Sequence, residues 1–438
     1  MSMRLAGRLV AARRFGPMLG SQGLGAFTDN MLKQALLTLA AFGTLSVPGA
    51  PQDAIVPIAA ALFTAPMFLF SALAGQVADK YDKAMVMRRT KFVEMVLMAI
   101  AAFAFVVDSG LLLLSCLFFM GVQSAFFAPA KNGSMPFYLK ADELVTGNAL
   151  MQGVLFLAIL TGTGAGVLLI LRDGGPLLIA AALIIASVGG WLLIKLTPTG
   201  ETSDPGLIIR WNIFTETWRL LAFAAANGKV LRPMLGVAWF WLLSAAILTL
   251  LPLYARDSLY MDETVVFVFM ALFTLGAALG SAACGVFSKG RESAPISAIG
   301  AVGIVVFSTD IFLASLGRAP TLDASGEIVL SSAKTFFADW RNWRLAFDFV
   351  MAAASAGLFV VPLQAMVQAR ADRDKRARIM AAGNILNALA ATVGQFSLLA
   401  ITLSGLPRHT AFLALALASA AVAAYMARRH HVYWKSMT

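Results

Sequence analysis

Long apolar runs recur along the whole chain and alternate with short polar or basic segments. A helix that spans a membrane needs roughly 20 mainly apolar residues. Runs of this length predict twelve transmembrane helices, at residues 16–44, 54–78, 84–107, 110–130, 146–171, 175–196, 232–255, 263–288, 294–317, 345–368, 378–404 and 409–427. The pattern therefore predicts an all-α membrane protein. Its two six-helix halves are expected at residues 1–197 and 232–438, with a linker at 198–231.

The amino-acid composition supports lipid as the solvent for much of the chain. Of the 438 residues, 59% are hydrophobic and only 13% are charged, whereas soluble domains carry roughly 25% charged residues. The two cysteines, Cys116 and Cys284, lie inside apolar runs. We expect them to be small packing residues, and their spacing predicts neither a disulfide framework nor a metal site.

The distribution of basic residues predicts the orientation in the membrane. A net charge of +11 would suggest a nucleic-acid partner in a soluble chain, but the basic residues here cluster between apolar runs. Alternate connections, counted from the N-terminus, hold about 26 of the 34 Lys and Arg residues. The positive-inside rule then places both termini in the cytoplasm and predicts no nucleic-acid partner. The polar connection 318–344 is expected on the opposite side.

Two further patterns describe how the halves are organised. In residues 211–223 of the linker, apolar residues recur at helical spacing and polar residues occupy the opposite face. This pattern predicts an amphipathic helix on the cytoplasmic membrane surface. An internal repeat relates Pro129 followed by Gly147-Asn148 to Pro362 followed by Gly383-Asn384. We interpret each copy as a helix that ends near the proline, a basic loop, and a Gly-Asn pair that opens the next helix. Such repeated halves are typical of major facilitator transporters.

A short motif after the second predicted helix indicates a gate. Gly75, Asp79, Lys80 and Lys83 resemble the loop motif of the major facilitator superfamily. Gly75 is expected to permit close helix approach, and Asp79 to meet a helix N-terminus or a basic side chain across a cytoplasmic gate. The two lysines would hold the loop on the cytoplasmic side. An ordinary basic turn is the alternative interpretation.

The first predicted helix carries polar residues that are unusual in a membrane span, namely Asp29, Asn30, Lys33 and Gln34. Asp29 and Lys33 are four residues apart, so they share a helix face and can pair. Ionisable groups at bilayer depth are costly and usually face a cavity or a partner. A cavity with both charges and an amide suits a zwitterionic or phosphorylated headgroup. The alternative is an internal ion pair that attaches this helix to its neighbours.

Other polar residues inside apolar runs are weaker candidates for binding. The substrate-binding candidates outside the first helix are Lys131, Gln152, Gln364, Asn384 and Asn387. Further buried polar residues are expected at Glu94, Gln123, Asp310, Asp348 and Gln395. Single amides in membrane helices commonly form interhelical hydrogen bonds, which is the alternative for each. Glu94 follows Lys91 by three residues, a spacing that favours a snorkelling pair near the cytoplasmic end. The glycines at 162, 164 and 166 predict a close-packing surface.

The sequence contains none of the motifs that carry common enzyme chemistry. There is no Walker A sequence, dinucleotide fingerprint, His-Glu-x-x-His or Gly-x-Ser-x-Gly. All three histidines lie in a loop or in the C-terminal tail. We therefore expect a transporter that is not an enzyme and that needs no cofactor or metal.

Several motifs together resemble the bacterial lysophospholipid transporters of the major facilitator superfamily. They occur in the family's order and span nearly the whole chain: 25–30, 75–79, 128–133, 147–151, 157–162, 211–212, 359–362 and 383–384. The resemblance implies a monomeric inner-membrane flippase that moves lysophospholipids to the cytoplasmic leaflet. A separate or fused acyltransferase with acyl-ACP synthetase activity would then restore the missing acyl chain.

The resemblance also implies roles for individual residues. Asp29 and Asn30 would contact the headgroup or switch between outward and inward states, and Lys131 would attract the phosphate. The chain departs from the family at Asn132, where a tyrosine is common, and in the uncharged segment 245–249. Phosphate binding through Lys33 is therefore an alternative arrangement. The competing function is transport of a small polar or metal solute coupled to an ion gradient.

Overall fold

The computed structural model describes residues 3–42, 45–140, 143–200, 202, 204–226, 228–288, 294–323, 325–370 and 376–435. The first helices are α1 (Met3–Ala11), α2 (Gly16–Ala41), α3 (Gln52–Lys80), α4 (Lys83–Val106), α5 (Gly110–Tyr138), α6 (Leu144–Ile170), α7 (Gly175–Lys195) and α8 (Ile213–Ala225). The remaining elements are α9 (Gly228–Asp257), α10 (Glu263–Ser288), α11 (Ala294–Ser315), β1 (Thr321–Leu322), β2 (Ile328–Val329), α12 (Ala333–Ala338), α13 (Arg341–Arg370), α14 (Arg376–Leu403) and α15 (Thr410–Lys435).

The helical content and the apolar lengths confirm an all-α, multi-pass membrane protein. Within the ranges described, nine helices are long and apolar enough to cross a membrane: α3, α5, α6, α7, α9, α10, α11, α13 and α14. Three more helices, α2, α4 and α15, have a comparable length but a less apolar sequence. Charged residues such as Asp29 on α2 and Lys91 on α4 lower their hydropathy. The total of twelve spans stays a prediction.

The chain forms two compact units, of which the first is Met1–Leu221. In this unit α2 packs against α6 and α7, α3 against α5, and α4 against α5 and α7. Glycines permit the closest of these contacts. A Cβ atom at Gly162 of α6 would lie 2.4 Å from the carbonyl oxygen of Phe27, and one at Gly166 would lie 2.5 Å from that of Met31. The expected close-packing surface on α6 is therefore present, facing α2.

The second unit, Ala222–Thr438, repeats the packing order of the first. Here α9 packs against α14, α10 against α13, and α11 against α13 and α15. In each unit, then, the first long helix contacts the fifth, the second contacts the fourth, and the third contacts the fourth and the sixth. Close approach again uses glycine, since a Cβ at Gly280 of α10 would lie 1.9 Å from the carbonyl oxygen of Ala354 on α13. The predicted domain limits at 197 and 232 stay predictions.

Substitution by alanine should change the stability of the protein in opposite directions at two glycines of α6. Gly162→Ala places a methyl group against the α2 backbone and should cost about 1–3 kcal/mol of stability through overpacking. Gly153→Ala is the matched control, because a Cβ there meets no atom within 4 Å. It should stabilise the helix by about 0.5–1 kcal/mol. Thermal unfolding of both variants in the same detergent measures the difference, and equal shifts would contradict the packing described.

The interpretation of the internal repeat is wrong in its local details. Helix α5 continues past Pro129 to Tyr138, and α13 continues past Pro362 to Arg370. In lipid every backbone group needs a partner, so a helix that loses one hydrogen bond at proline is still favoured over an open loop. Gly383 is likewise not at a helix start, because α14 begins at Arg376. Lys131 therefore lies on a helix and not in a basic loop.

The polar connection 318–344 has regular structure. Strands β1 and β2 form an antiparallel hairpin whose turn is held by Asp323, which accepts hydrogen bonds from the Ser325 hydroxyl at 2.6 Å and the Glu327 amide at 2.9 Å. These bonds hold the pKa of Asp323 below its usual value. Beyond the hairpin, Ser331 pairs with the connection between α9 and α10, where its carbonyl accepts from the Asp262 amide at 2.9 Å. The position of the connection 318–344 outside the cytoplasm stays a prediction.

Candidate functional site

The polar residues of α2 lie in the first unit, but their hydrogen bonds differ from those expected. The Lys33 ammonium donates to Asn30 Oδ1 at 3.3 Å and lies 5.5 Å from the ring centre of Phe63. Asn30 in turn donates to the carbonyl oxygen of Ala26 at 2.8 Å. The predicted pairing of Lys33 with Asp29 is wrong, because the lysine bends towards the residue three positions before it. Asp29 is consequently available to another helix.

Asp29 connects α2 to α5. Its Oδ2 accepts a hydrogen bond from the Ser124 hydroxyl at 3.2 Å. Its Oδ1 is buried and, among the described residues, has no hydrogen-bond partner. A buried carboxylate oxygen without a donor is costly, so this atom would be stabilised by a donor from a bound molecule.

Glu94 of α4 collects three donors beside Asp29. Its Oε2 accepts from the Lys91 ammonium at 2.6 Å and from the Gln123 side-chain amide at 2.9 Å, and its Oε1 accepts from the Thr28 hydroxyl at 3.4 Å. The side chains of Lys91 and Glu94 are only 3% and 2% exposed. The interpretation of this pair as snorkelling is therefore wrong. The pair is buried because its side chains reach Gly25 and Thr28 of α2 and Gln123 of α5.

Gly25 provides the space for this buried pair. A Cβ atom at Gly25 would lie 1.9 Å from the Lys91 ammonium nitrogen and 3.2 Å from Glu94 Oε1. The Lys91 ammonium thus passes directly over the α2 backbone, and it also lies 4.8 Å from the ring centre of Phe127. Gly25 belongs to a motif shared with the resembling family, but the sequence predicts no physical role for it. In the structure its missing side chain makes room for the Lys91 ammonium.

Lys131 extends the site along α5. It lies one helical turn beyond Phe127, is partly buried, and is within electrostatic reach of Lys91. Within the part of the chain that the structure describes, it forms no ion pair. The cluster of Asp29, Lys33, Lys91, Glu94, Gln123, Ser124 and Lys131 is called the α2–α5 cluster below. Its three lysines and two carboxylates give a formal charge of +1, which favours an anionic group.

The other predicted binding residues lie in different parts of the sequence. Gln34 is buried on the side of α2 that faces Gly166 of α6, and its Oε1 has no partner among the described residues. The side chain of Gln152 lies outside the described residues. Three further candidates belong to the second unit, where Gln364 and Asn384 are exposed and Asn387 is partly buried.

The gate motif differs from expectation in two residues. A Cβ at Gly75 would meet no atom within 4 Å, so the expected close helix approach at this glycine is wrong. Asp79 is exposed at the end of α3, and its backbone carbonyl accepts from the Asp204 amide at 2.9 Å. Asp82 instead caps α4, accepting from the Met85 amide at 2.9 Å and from the Gly200 amide at 3.2 Å. An aspartate just before a helical run is the signal that could have identified this cap.

The remaining gate residues surround this cap. Lys80 lies with its ammonium 5.9 Å from the ring centre of Tyr81, and Lys83 is buried at the first position of α4. At the same end of the unit, Arg14 donates to Glu143 at 2.6 Å. The Lys140 amide and this arginine hold the pKa of Glu143 below its usual value. Polar contacts therefore join the helix ends on this side of the first unit.

In the second unit one of the expected polar residues, Asp310, forms an ion pair. Arg344 of α13 donates through Nε to Asp310 of α11 at 3.0 Å, and Asp348 is buried one turn further along α13. Arg344 was not singled out from the sequence, although its position four residues before Asp348 is typical of helix pairs. Arg344 therefore links α11 to α13 within the second unit through a largely exposed ion pair.

In the described part of the chain, nine helices are long and apolar enough to cross a membrane, and the first unit buries an ion pair between its helices. These features are typical of a multi-pass membrane transporter. A family model described as Major Facilitator Superfamily matches residues 18–395. The chain belongs to this superfamily.

Curated relatives make the similarity more specific. The chain is 26% identical over 355 residues to the "Lysophospholipid transporter LplT" of an Enterobacter species, covering 80% of this chain and 79% of the relative. It is 27% identical, with the same coverage, to the protein of that name from Escherichia fergusonii. The resemblance stated from the motifs is thus confirmed.

Solved structures support the fold alone. The superposition on a bacterial homologue of the human lysosomal transporter Spinster includes 95% of this protein and 96% of the homologue. Its TM-score is 0.67 at 13% sequence identity. The nucleoside transporter NupG covers 94% of this chain and 98% of its own, with a TM-score of 0.64 at 14% identity. These similarities agree with the packing order of the two units.

Proposed function

We propose that this protein transports lysophospholipids such as lysophosphatidylethanolamine from the outer to the inner leaflet of the bacterial inner membrane. The observation that carries the proposal is the α2–α5 cluster, which combines a formal charge of +1 with a buried carboxylate oxygen that lacks a donor. A phosphoethanolamine headgroup carries the complementary pair, an anionic phosphate and a cationic amine. The names of the relatives support the same substrate class.

Each end of the headgroup has a matching group in the cluster. The phosphate would interact with the Lys131 ammonium, whose charge is not neutralised by a described carboxylate. The amine would donate to Asp29 Oδ1, the oxygen that lacks a donor. Asn30 and Lys33 already bond to each other, so they would shape the site and bind the headgroup only after rearranging.

Ser124 could transmit the effect of substrate binding at Asp29 to α4 through hydrogen bonds. Its hydroxyl lies 3.2 Å from Asp29 Oδ2 and 3.3 Å from Gln123 Oε1, and it has one hydrogen to donate. When a substrate amine neutralises Asp29, the hydroxyl is released to Gln123. Because Gln123 also donates to Glu94, the change reaches the buried Lys91–Glu94 pair. Binding at α2 would thereby favour a different arrangement of α4 and α5.

The transport cycle proposed is alternating access between the predicted six-helix halves, without a cofactor. Gln34, Gln152, Gln364, Asn384 and Asn387 would contribute polar contacts along the route, and Gly75, Asp79, Lys80 and Lys83 would act at the cytoplasmic gate. Both termini would lie in the cytoplasm, and the protein would act as a monomer. A cytoplasmic acyltransferase with acyl-ACP synthetase activity would use the delivered lysophospholipid.

Helix α8 is proposed to lie on the cytoplasmic membrane surface, as part of the linker at 198–231. Phe214 and Trp218 are 69% and 72% exposed on this helix, and Trp211 just before it is 74% exposed. Exposed aromatic side chains at helical spacing are typical of an interfacial helix.

Translocation of radiolabelled lysophosphatidylethanolamine tests the proposed function. Spheroplasts that contain the wild-type protein should transfer the lipid to the inner leaflet faster than spheroplasts without it, and a protonophore should not change the rate. Glycerophosphoethanolamine, which shares the headgroup but lacks the acyl chain, should not be taken up. Uptake of small polar solutes without transfer of the lysolipid would instead support the competing function.

A further inference from the structure

A long groove lies between α4 and α7 of the first unit. Two adjoining cavities form it, with volumes of about 510 Å³ and 450 Å³. One is lined by apolar side chains of both helices, among them Met95, Ile100, Phe103 and Ile184. From residue 88 to residue 103 a helix rises about 22 Å. This length exceeds one leaflet of a bilayer core, which is about 15 Å deep.

The other cavity, where α4 begins and α7 ends, also has an apolar surface, but three of the residues that flank it are basic. It is lined by Arg88, Arg89, Phe92, Val93, Trp191 and Lys195. The groove lining thus contains three cations and no carboxylate. The rings of Phe92 and Trp191 lie 5.8 Å apart between the basic and apolar parts. Aromatic side chains at such a boundary are typical of the interface between headgroups and acyl chains.

The cations of the groove are positioned by contacts within the unit. The Lys195 ammonium lies 4.2 Å from the ring centre of Trp191, which holds it beside the groove. Arg88 donates through Nη2 to the carbonyl oxygen of Thr197, while its buried Nε has no hydrogen-bond partner among the described residues. A buried guanidinium nitrogen without an acceptor would be satisfied by an anionic oxygen.

We propose that the α4–α7 groove binds an anionic phospholipid of the surrounding bilayer. The phosphate of the lipid lies against Arg88, Arg89 and Lys195, and one acyl chain follows the apolar part of the groove. Basic pockets between membrane helices are known to favour acidic phospholipid headgroups. The site is separate from the α2–α5 cluster and does not depend on the transported substrate. Bound lipid would stabilise the packing of α4 against α7, and through α4 the environment of the Lys91–Glu94 pair.

Native mass spectrometry of the purified full-length protein tests this site. Phosphatidylglycerol and phosphatidylcholine with the same acyl chains are titrated separately, and the fraction of protein with bound lipid is measured. Wild type should retain phosphatidylglycerol at lower concentration than phosphatidylcholine. The double variant R89Q/K195Q should need about tenfold more phosphatidylglycerol, because two cations near the phosphate are lost. The matched control R8Q/R13Q removes two exposed cations outside the groove and should bind as wild type does.

A second measurement uses the wild-type protein and the single variant W191F, so it does not depend on the folding of the double variant. Brominated phosphatidylglycerol should quench the fluorescence contributed by Trp191, which is obtained as the difference between wild type and W191F. Brominated phosphatidylcholine at the same concentration should quench it less. Equal retention of both lipids by wild type, or equal quenching by both, would overturn the proposal. Failure of lysophospholipid transport alone would leave these binding results unchanged, so the two proposals are tested separately.

Discussion

Replacement of Asp29 by asparagine is expected to lower the rate of lysophosphatidylethanolamine translocation at least tenfold. The substitution keeps the shape of the side chain and retains an oxygen that can accept the Ser124 hydrogen bond, so the fold should persist. It removes the negative charge that would bind the substrate amine at Oδ1. A hydrogen bond to a charged group contributes about 1.5–3 kcal/mol, and 1.4 kcal/mol corresponds to a factor of ten. Translocation into the inner leaflet of spheroplasts is the measurement.

The matched control for this variant is Asp108→Asn. Asp108 lies exposed in the turn between α4 and α5 with φ of 51°, a backbone conformation that asparagine adopts readily. The same chemical change there should leave translocation at the wild-type rate. Equal rates for wild type and Asp29→Asn, at matched protein levels, would contradict the assignment of Asp29 to the headgroup.

Replacement of Glu94 by leucine is expected to destabilise the protein by about 3–5 kcal/mol. It leaves the Lys91 ammonium buried without its carboxylate partner, and it also removes the acceptor of the Gln123 and Thr28 hydrogen bonds. Removing one member of a buried ion pair is far more costly than replacing both. Unfolding in mixed micelles with increasing denaturing detergent measures the change in the free energy of unfolding.

The double variant Lys91→Met with Glu94→Leu separates the ion pair from simple loss of packing. It removes both charges while keeping side chains of similar volume, so we expect it to regain most of the stability lost in Glu94→Leu. The translocation rate of the double variant should still be lower than that of wild type, because Ser124 and Gln123 no longer connect Asp29 to a charged pair. A double variant as unstable as the single variant would show that the pair is not the source of the stability.

Helix positions could be predicted from the sequence because a membrane span is specified by local composition. The run at 175–196 corresponds to α7 (Gly175–Lys195), and the run at 263–288 corresponds to α10 (Glu263–Ser288). Helix ends were less predictable where proline occurs. The run at 110–130 predicts a helix that ends near Pro129, yet α5 extends to Tyr138. Proline is a strong stop signal in water, whereas in lipid the cost of an open backbone favours continuation.

The candidate site was predictable only in part, since α2 carries several polar and charged residues close together in one apolar run, whereas the other helices carry them singly or near their ends. Asp29 was identified from its sequence context, but its partner Ser124 was not. Contacts between helices depend on how each helix is rotated about its axis, and a single sequence does not specify that rotation. Glu94 shows the same limit, because the Lys91–Glu94 spacing is compatible with both a surface pair and a buried one.

Photolabelling by the substrate is the most direct test of the claim that the α2–α5 cluster binds the headgroup. A lysophosphatidylethanolamine with a photoreactive diazirine on its glycerol would be bound to purified protein, irradiated, and located by peptide mass spectrometry. We predict labelling of peptides from α2 or α5 near Asp29, Ser124 and Lys131, and its suppression by excess unmodified lysophosphatidylethanolamine. Labelling that excess lipid does not suppress, or that is confined to other helices, would contradict the proposed binding site.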